Sequence, residues 1–528
     1  MAKQQDGVAR GATGIYFSNI VSMFASTAHF VVLTNLLSTT EVGIISGIQI
    51  IAYLVSTLSN FALPQPIMTS LPIPHALSKF LPQYYGSGQR AKAVGAFRVS
   101  FAITLLLIIP LTALIFLGAE PIAVFVFHGK AEPFWIQLSS FEVLFFTLNQ
   151  FFFAGLVGLG RSGRAGLLYS ISLIGRFGLA ALLVFLGFNV AGAIIGYIIG
   201  DVLLVLLVAP ILFSSLGGKS ESIPASTVAK FSFPLLISSL IVFGVTQIDK
   251  IFALFELGLP ELGIYTVSVA AATIGAYAPN AFSTALVPVL ALMLGRNDQA
   301  SFKSLSKVYT RYVTLLGMPT AVMIAALALP LTRLFGPEYS SSAFPAAIIS
   351  IAVAITSFTS VYNAQLIAST RVRWVMLANI AGLTIFGLVL SILVPSSSFV
   401  GAAFARAIMI FVVAGITTYS SYRLGYLALD KRALLSSIIA SIGMGTIITL
   451  IPYVIGGYAR QLVSLVFLVP LGIVIYILLL RIMKTFTVDD LVFIERLLPR
   501  RLKGVIGIVA KIAGVSTKKV ENLTGQIS

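Results

Sequence analysis

Apolar stretches of about 20 residues recur along the chain with short polar breaks between them, and each is long enough to cross a bilayer core as a helix. Fourteen such stretches lie near residues 11–37, 42–66, 97–118, 137–160, 166–187, 190–213, 231–255, 262–292, 310–332, 343–368, 374–395, 399–421, 433–456 and 461–483. Backbone polar groups inside a membrane have to be satisfied within the segment, so these stretches are predicted helices. The alternating ten-residue pattern of a membrane β-barrel is absent. The pattern therefore predicts an all-α polytopic membrane protein. The start, MAKQQDGVAR, is basic, but the apolar run behind it exceeds a signal-peptide core, so it reads as a retained first span.

Charge gives the orientation. The chain is 58% hydrophobic and 10% charged, well below the roughly 25% charged residues of soluble proteins. Its net charge is +17, from 34 basic and 17 acidic residues. With the N-terminus inside and the sides alternating, 28 of the 34 Lys and Arg fall on inner segments or at the inner ends of spans. Three (Lys130, Arg333, Arg460) fall outside and three (Arg176, Lys250, Arg406) within spans. The acids divide eight inside, six outside and three within spans, without such a bias. This asymmetry predicts an even number of spans and both termini on the cytoplasmic side of the cell membrane. It also argues against nucleic acid as a partner, because the basic residues are spread over every inner loop instead of gathering with aromatics on one module. From Thr487 onward, Leu502, Val505, Ile506 and Val509 stand against Arg500, Arg501, Lys503 and Lys511. That spacing predicts a basic amphipathic tail on anionic headgroups.

An internal repeat is visible. Thr40-Glu-Val-Gly-Ile44 resembles Pro260-Glu-Leu-Gly-Ile264, 220 residues on. Arg161 and Arg164 echo Arg371 and Arg373, and Val190-Ala-Gly-Ala193 echoes Phe399-Val-Gly-Ala402. Each match lies six spans apart, so the halves share one orientation, as in parallel-repeat transporters. The predicted organisation is a six-helix bundle over 1–218, a second over 219–425, two further helices over 426–484 and the tail over 485–528.

Chemistry-bearing motifs are few. Cysteine is absent, which excludes disulfides and thiol nucleophiles. His29, His75 and His128 are too scattered for a metal site. Gly158-Leu-Gly160-Arg-Ser-Gly163 fits the dinucleotide pattern but lacks a βαβ context. Gly218-Lys219-Ser220 resembles the end of a P-loop, but Phe213 replaces its first glycine. No catalytic constellation and no cofactor motif is present, so an enzyme is not expected. Gly192, Gly196 and Gly200 have the small-residue spacing that lets helices approach closely.

Ionisable residues inside spans are costly and face a partner or an aqueous cavity. Six are present: Glu142, Arg176, Asp201, Asp249, Lys250 and Arg406. They can neutralise one another in pairs. Alternatively Arg176, Lys250 and Arg406 form a cationic cavity for phosphate, with Asp249, Asp201 or Glu142 taking a coupling Na+ or H+. His29 occupies the first-span position 220 residues before Asp249. Asn149 and Gln150, among Phe145, Phe146, Phe151, Phe152 and Phe153, and Gln247 complete the polar set.

Several stretches resemble the multidrug/oligosaccharidyl-lipid/polysaccharide (MOP) exporter superfamily, in its polysaccharide-flippase branch. These are Phe233-Pro234-Leu235, Gln247-Ile-Asp249-Lys250, Glu261-Leu-Gly263-Ile-Tyr265 and Phe335-Gly336-Pro337-Glu338-Tyr339. The resemblance implies a V-shaped, MATE-like pair of six-helix bundles that opens alternately to each side. It implies a monomer that flips a polyprenyl- or dolichyl-linked oligosaccharide to the outer leaflet, driven by an ion or substrate gradient. Peptidoglycan-lipid flippases of the superfamily carry arginines in the first two spans, and this chain has none there. The competing reading is a cation-coupled exporter of small molecules, for which a mainly acidic cavity is expected.

Overall fold

The computed structural model describes residues 21–59, 76–455 and 458–485. The first and second apolar stretches are described only in part, and the basic tail lies outside the described residues. Among the described residues the regular structure is helical, with no strand. The first half holds α1 (Val21–Leu36), α2 (Thr39–Ser59), α3 (Ala76–Gly86), α4 (Arg90–Leu117), α5 (Ala119–Phe125), α6 (Pro133–Gly158), α7 (Ser162–Leu183) and α8 (Asn189–Ser215). Next come α9 (Ala225–Phe252), α10 (Leu259–Thr273), α11 (Tyr277–Gly295), α12 (Gln299–Ala326), α13 (Ala328–Arg333), α14 (Ala343–Ala368) and α15 (Val372–Arg423). The last two are α16 (Lys431–Ile455) and α17 (Tyr458–Ile482).

Ten helices among the described residues are long and apolar enough to cross a membrane, so this is a multi-pass membrane protein. Two of the ten are continuous helical runs of 54 and 52 residues, Ser162–Ser215 and Val372–Arg423. At 1.5 Å per residue each is more than twice the length a span needs. Both contain a break. In the first, Gly187 (φ 92°) and Asn189 (φ 45°, ψ −132°) interrupt the helix, and in the second Ser398 does so (φ 54°, ψ −142°). Side chains such as Leu117, Phe125, Phe185 and Ile482 stand exposed, as expected of a surface bathed in lipid.

The repeat read from sequence has a backbone counterpart. Asn189 and Ser398 are 209 residues apart and share one unusual conformation. Helix α6 ends in a left-handed Gly160, with Arg161 N–H bonded to Leu156 O (3.1 Å) and Gly160 N–H to Val157 O (2.9 Å). Helix α14 ends in a left-handed Thr370, with Arg371 N–H bonded to Leu366 O (2.8 Å) and Thr370 N–H to Ile367 O (3.0 Å). This is the Schellman pattern of helix termination, built twice. Gly88 and Asn297 make a third such pair of left-handed turns.

Contacts group the chain into two units. The first comprises the described residues up to Val267 together with Leu383–Ala405. The second comprises Ser268–Gly382 and the described residues from Arg406 onward. In the first unit, Phe97, Phe151, Phe152, Leu156, Leu204 and Leu212 form a core between α4, α6 and α8. In the second, Ala440, Met444 and Ile448 of α16 and Leu468, Tyr476 and Leu480 of α17 pack on Leu315 and Met323 of α12. The Tyr476 hydroxyl donates to Leu315 O at 3.0 Å and lies 2.9 Å from the Ser437 hydroxyl, so the buried phenol is satisfied.

Candidate functional site: a buried ion cluster

Three of the six intramembrane charges meet inside the first unit. Arg176 on α7 is 5% exposed, and Glu142 on α6 and Asp201 on α8 are fully buried. Arg176 Nη2 bonds Glu142 Oε1 at 2.8 Å, and Arg176 Nη1 bonds Asp201 Oδ2. Gln49 on α2 donates from Nε2 to the same Glu142 oxygen at 2.7 Å, and its own carbonyl faces Arg176 Nη2 at 3.4 Å. Asn149 donates from Nδ2 to Asp201 Oδ1 at 2.6 Å. The guanidinium lies 4.7 Å from the Tyr197 ring centroid and 5.2 Å from that of Phe146. Arginine suits this place because its planar fork bonds two carboxylates while its faces stack on rings.

The local sequence explains the approach. A Cβ on Gly200 would overlap the main chain of Arg176, and one on Gly196 would overlap that of Ala180. The small-residue stripe on α8 thus brings α7 close enough for Arg176 to reach Asp201. Ser172, one turn before Arg176, donates to Gly200 O at 2.7 Å and ties the same crossing.

His29 joins the cluster through Tyr197. Its Nε2 lies 2.8 Å from the Tyr197 hydroxyl, and its ring stacks on Phe177 with centroids 4.9 Å apart. With both carboxylates and the guanidinium ionised, the cluster carries one net negative charge. Glu142 Oε2 and Asn149 Oδ1 are buried without a hydrogen-bond partner among the described groups.

The remaining residues singled out in the sequence lie elsewhere. Asp249 on α9 is buried, accepts from the Tyr265 hydroxyl, and accepts from Lys250 N–H at 2.9 Å. Lys250 and Gln247 are half-buried on the same helix, and Arg406 on α15 is buried. Gln150 is buried. Phe151 and Phe152 are packed with Phe97, Phe101 and Phe213, and Phe146 lies between Arg176 and Tyr53. The site therefore includes two residues the sequence did not single out, Gln49 and Tyr197. Gln49 carried a signal, being a lone amide in the apolar run Ile48–Ile51. Among the described residues no three His, Asp or Glu side chains converge as a metal site.

Comparison with known proteins gives the chain a family and relates its fold to solved structures. The chain belongs to the polysaccharide biosynthesis protein family, which it matches over residues 8–294. No curated protein sequence matches it. Among solved structures, the lipid II flippase MurJ in an inward closed conformation aligns with a TM-score of 0.66 at 14% identity, over 89% of this chain and 98% of that one. A MOP superfamily transporter from Pyrococcus furiosus, described as having a binding pocket of reversed polarity, aligns at 0.54 and 16% identity over 80% and 95%. A variant of a MATE transporter from Vibrio cholerae aligns at 0.52 and 13% over 80% and 99%. At these identities the likeness is one of fold. The solved structures of this fold named here are a flippase and two transporters.

Proposed function

We propose that the protein flips a polyprenyl- or dolichyl-linked oligosaccharide from the inner to the outer leaflet for the building of surface polysaccharide or glycoprotein. The family match over residues 8–294 carries this reading, and the likeness to a lipid II flippase supports a lipid-linked cargo. The proposed frame is fourteen spans in two six-helix bundles with two further helices. Both termini are cytoplasmic, the basic tail rests on anionic headgroups, and the protein acts as a monomer. Lys250 and Arg406 are the proposed phosphate ligands. Arg176 is engaged with two acids, and it joins them once a proton or Na+ neutralises the Glu142–Asp201 side.

The cluster supplies the proposed coupling step. A buried net charge is expensive to leave uncompensated, so a state that takes up one cation differs in energy from one that does not. The test follows a glycan-tagged polyprenyl diphosphate across liposomes holding the purified protein, with a pH gradient in one arm and a Na+ gradient in another. Flipping faster than in empty liposomes, stimulated by one gradient and lost in Lys250→Gln and Arg406→Gln, is the expected result. No acceleration over empty liposomes overturns the reading.

One observation favours a second reading, a cation-coupled exporter of small molecules. The acids of the buried cluster outnumber its base, which suits cationic cargo. Protection of cells against toxic cations would support it.

A further inference from the structure

Three arginines gather at the C-terminal end of α8. Arg90, in the first turn of α4, donates from Nη2 to Ser215 O at 3.1 Å. Arg161, at the turn between α6 and α7, donates from Nη1 to the hydroxyl of the same serine at 3.0 Å. Arg98, two turns further along α4, faces Gly218 O across 3.5 Å. Backbone packing fixes the arrangement. Glu221 N–H bonds Ala91 O at 3.0 Å, and a Cβ on Gly95 would overlap the Glu221 carbonyl, so the segment leaving α8 lies along the first turns of α4. A helix C-terminus carries partial negative charge and draws cations, but it does not use these up. Each guanidinium has five N–H donors, and these bonds take one apiece. The acid in this segment, Glu221, sits on Lys92 at 3.6 Å and pairs with none of the three. Over the described segments 76–98, 159–166 and 214–230, eight Lys and Arg stand against that one acid.

The apolar surroundings decide what kind of anion fits. Arg98, Ala102, Leu106 and Ile109 are exposed at helical spacing on one face of α4, so the cation heads an apolar lane. Leu206, Pro210 and Phe213 form a matching lane on α8. Phe213 is 48% exposed, and its ring reaches across to Phe97 and Phe101 of α4 with centroids 5.7 and 6.2 Å away. A free phosphate ion would meet the arginines and leave this surface bare. An amphiphile meets both.

We propose that this end of α4 and α8 binds one anionic phospholipid of the adjoining leaflet. Its phosphate takes the remaining donors of Arg90, Arg98 and Arg161, whose planar forks match phosphate oxygens. Its chains follow Phe213 and the α4 lane. The bound headgroup ties α4, the α6–α7 turn and the end of α8 at one point, and it offsets the repulsion among their cations.

In the test, the purified full chain in mild detergent is titrated with dioleoyl phosphatidylglycerol or with dioleoyl phosphatidylcholine, and bound lipids are counted by native mass spectrometry. One site that prefers phosphatidylglycerol is expected, with the melting temperature rising as it fills. Arg98→Gln and Arg161→Gln are each expected to weaken that site about fivefold, the equivalent of about 1 kcal/mol per cation at a membrane surface. Arg98→Lys keeps the charge and loses the fork, and it is expected to fall between. Phe213→Ala is also expected to weaken phospholipid binding. Lys303→Gln, which removes an exposed cation in the second unit, is expected to leave the site unchanged. Equal binding of the two lipids, or a phosphatidylglycerol site untouched in both Arg→Gln variants, overturns the proposal. So does displacement of the phospholipid at equal concentration by a polyprenyl diphosphate, which would make these arginines a cargo site, or by inorganic phosphate, which would make them a plain anion site.

Discussion

Gly200 packs against the main chain of Arg176, and the next residue along α8 is Asp201, the acid that Arg176 holds. Close approach and ion pair are thus one feature. Gly200→Ala is expected to destabilise the protein by about 1–3 kcal/mol through overpacking. Gly178→Ala, where an added Cβ meets nothing within 4 Å, is expected to be neutral or stabilising. Thermal unfolding in detergent compares the two.

Arg176→Met leaves Glu142 and Asp201 buried without their cation. A loss of about 3–5 kcal/mol is expected, the usual cost of stranding a buried charge. Glu142→Gln keeps the Arg176–Asp201 pair and removes the net charge, so stability is expected to hold while gradient-driven transport falls. Unfolding curves and flux measured on the same preparations separate the two outcomes.

Tyr265→Phe removes the phenol that donates to the buried Asp249. A stability loss of about 1–3 kcal/mol is expected. Adding Asp249→Asn is expected to recover part of it, because a neutral amide is cheaper to bury than a carboxylate short of a donor. A double-mutant cycle measures the recovery.

Outside the spans, Asp430 pairs with Arg311 at 2.6 Å, and Arg311 also donates to Thr485 O at 2.7 Å. Partial burial pushes the Asp430 carboxyl up, but the Ala433 N–H and Arg311 outweigh it and hold it below the ordinary carboxylate value. A group lowered in the folded state stabilises above its unfolded pKa, about 3.9 for Asp, and loses that contribution as pH falls through the folded value. Asp430→Asn is therefore expected to lower stability at neutral pH and flatten its dependence below about pH 4. Unfolding midpoints across that range are the check.

Orientation has a direct test in a chain without cysteine. Lys130→Cys and Lys484→Cys each place one thiol at an exposed position. A membrane-impermeant maleimide added to intact cells is expected to label the first and not the second. The reverse labelling pattern would invert the topology.

The apolar stretches were legible as helices because a bilayer leaves the backbone few alternatives. The repeat was legible in three short matches, since Gly43, Arg161 and the 190–193 segment stand at starts and turns where the backbone constrains the residue. The left-handed Thr370 and Ser398 were not, because neither residue type announces that conformation as glycine does. Glu142, Arg176 and Asp201 could be named from their depth in apolar runs. Their grouping could not, because it depends on which faces of α6, α7 and α8 meet. Gln49 and Tyr197 were missed for the same reason: their partners Glu142 and His29 lie 93 and 168 residues away in the chain.

The paired turns at Gly160 and Thr370 and at Asn189 and Ser398 show one frame used twice, yet its charges are not duplicated. Asp201 corresponds to Ile410, Tyr197 to Arg406, and Arg176 to Ile385 or Phe386 at offsets of 209 and 210. Glu142 corresponds to Ile351 or Ala352. Where the first copy holds a buried ion triad, the second has apolar residues at the three charged positions, and its own buried charge, Arg406, stands at the Tyr197 position. Backbone duplication has been kept while electrostatic duplication has been lost, so the stoichiometry of any cation held by such a triad is one per chain.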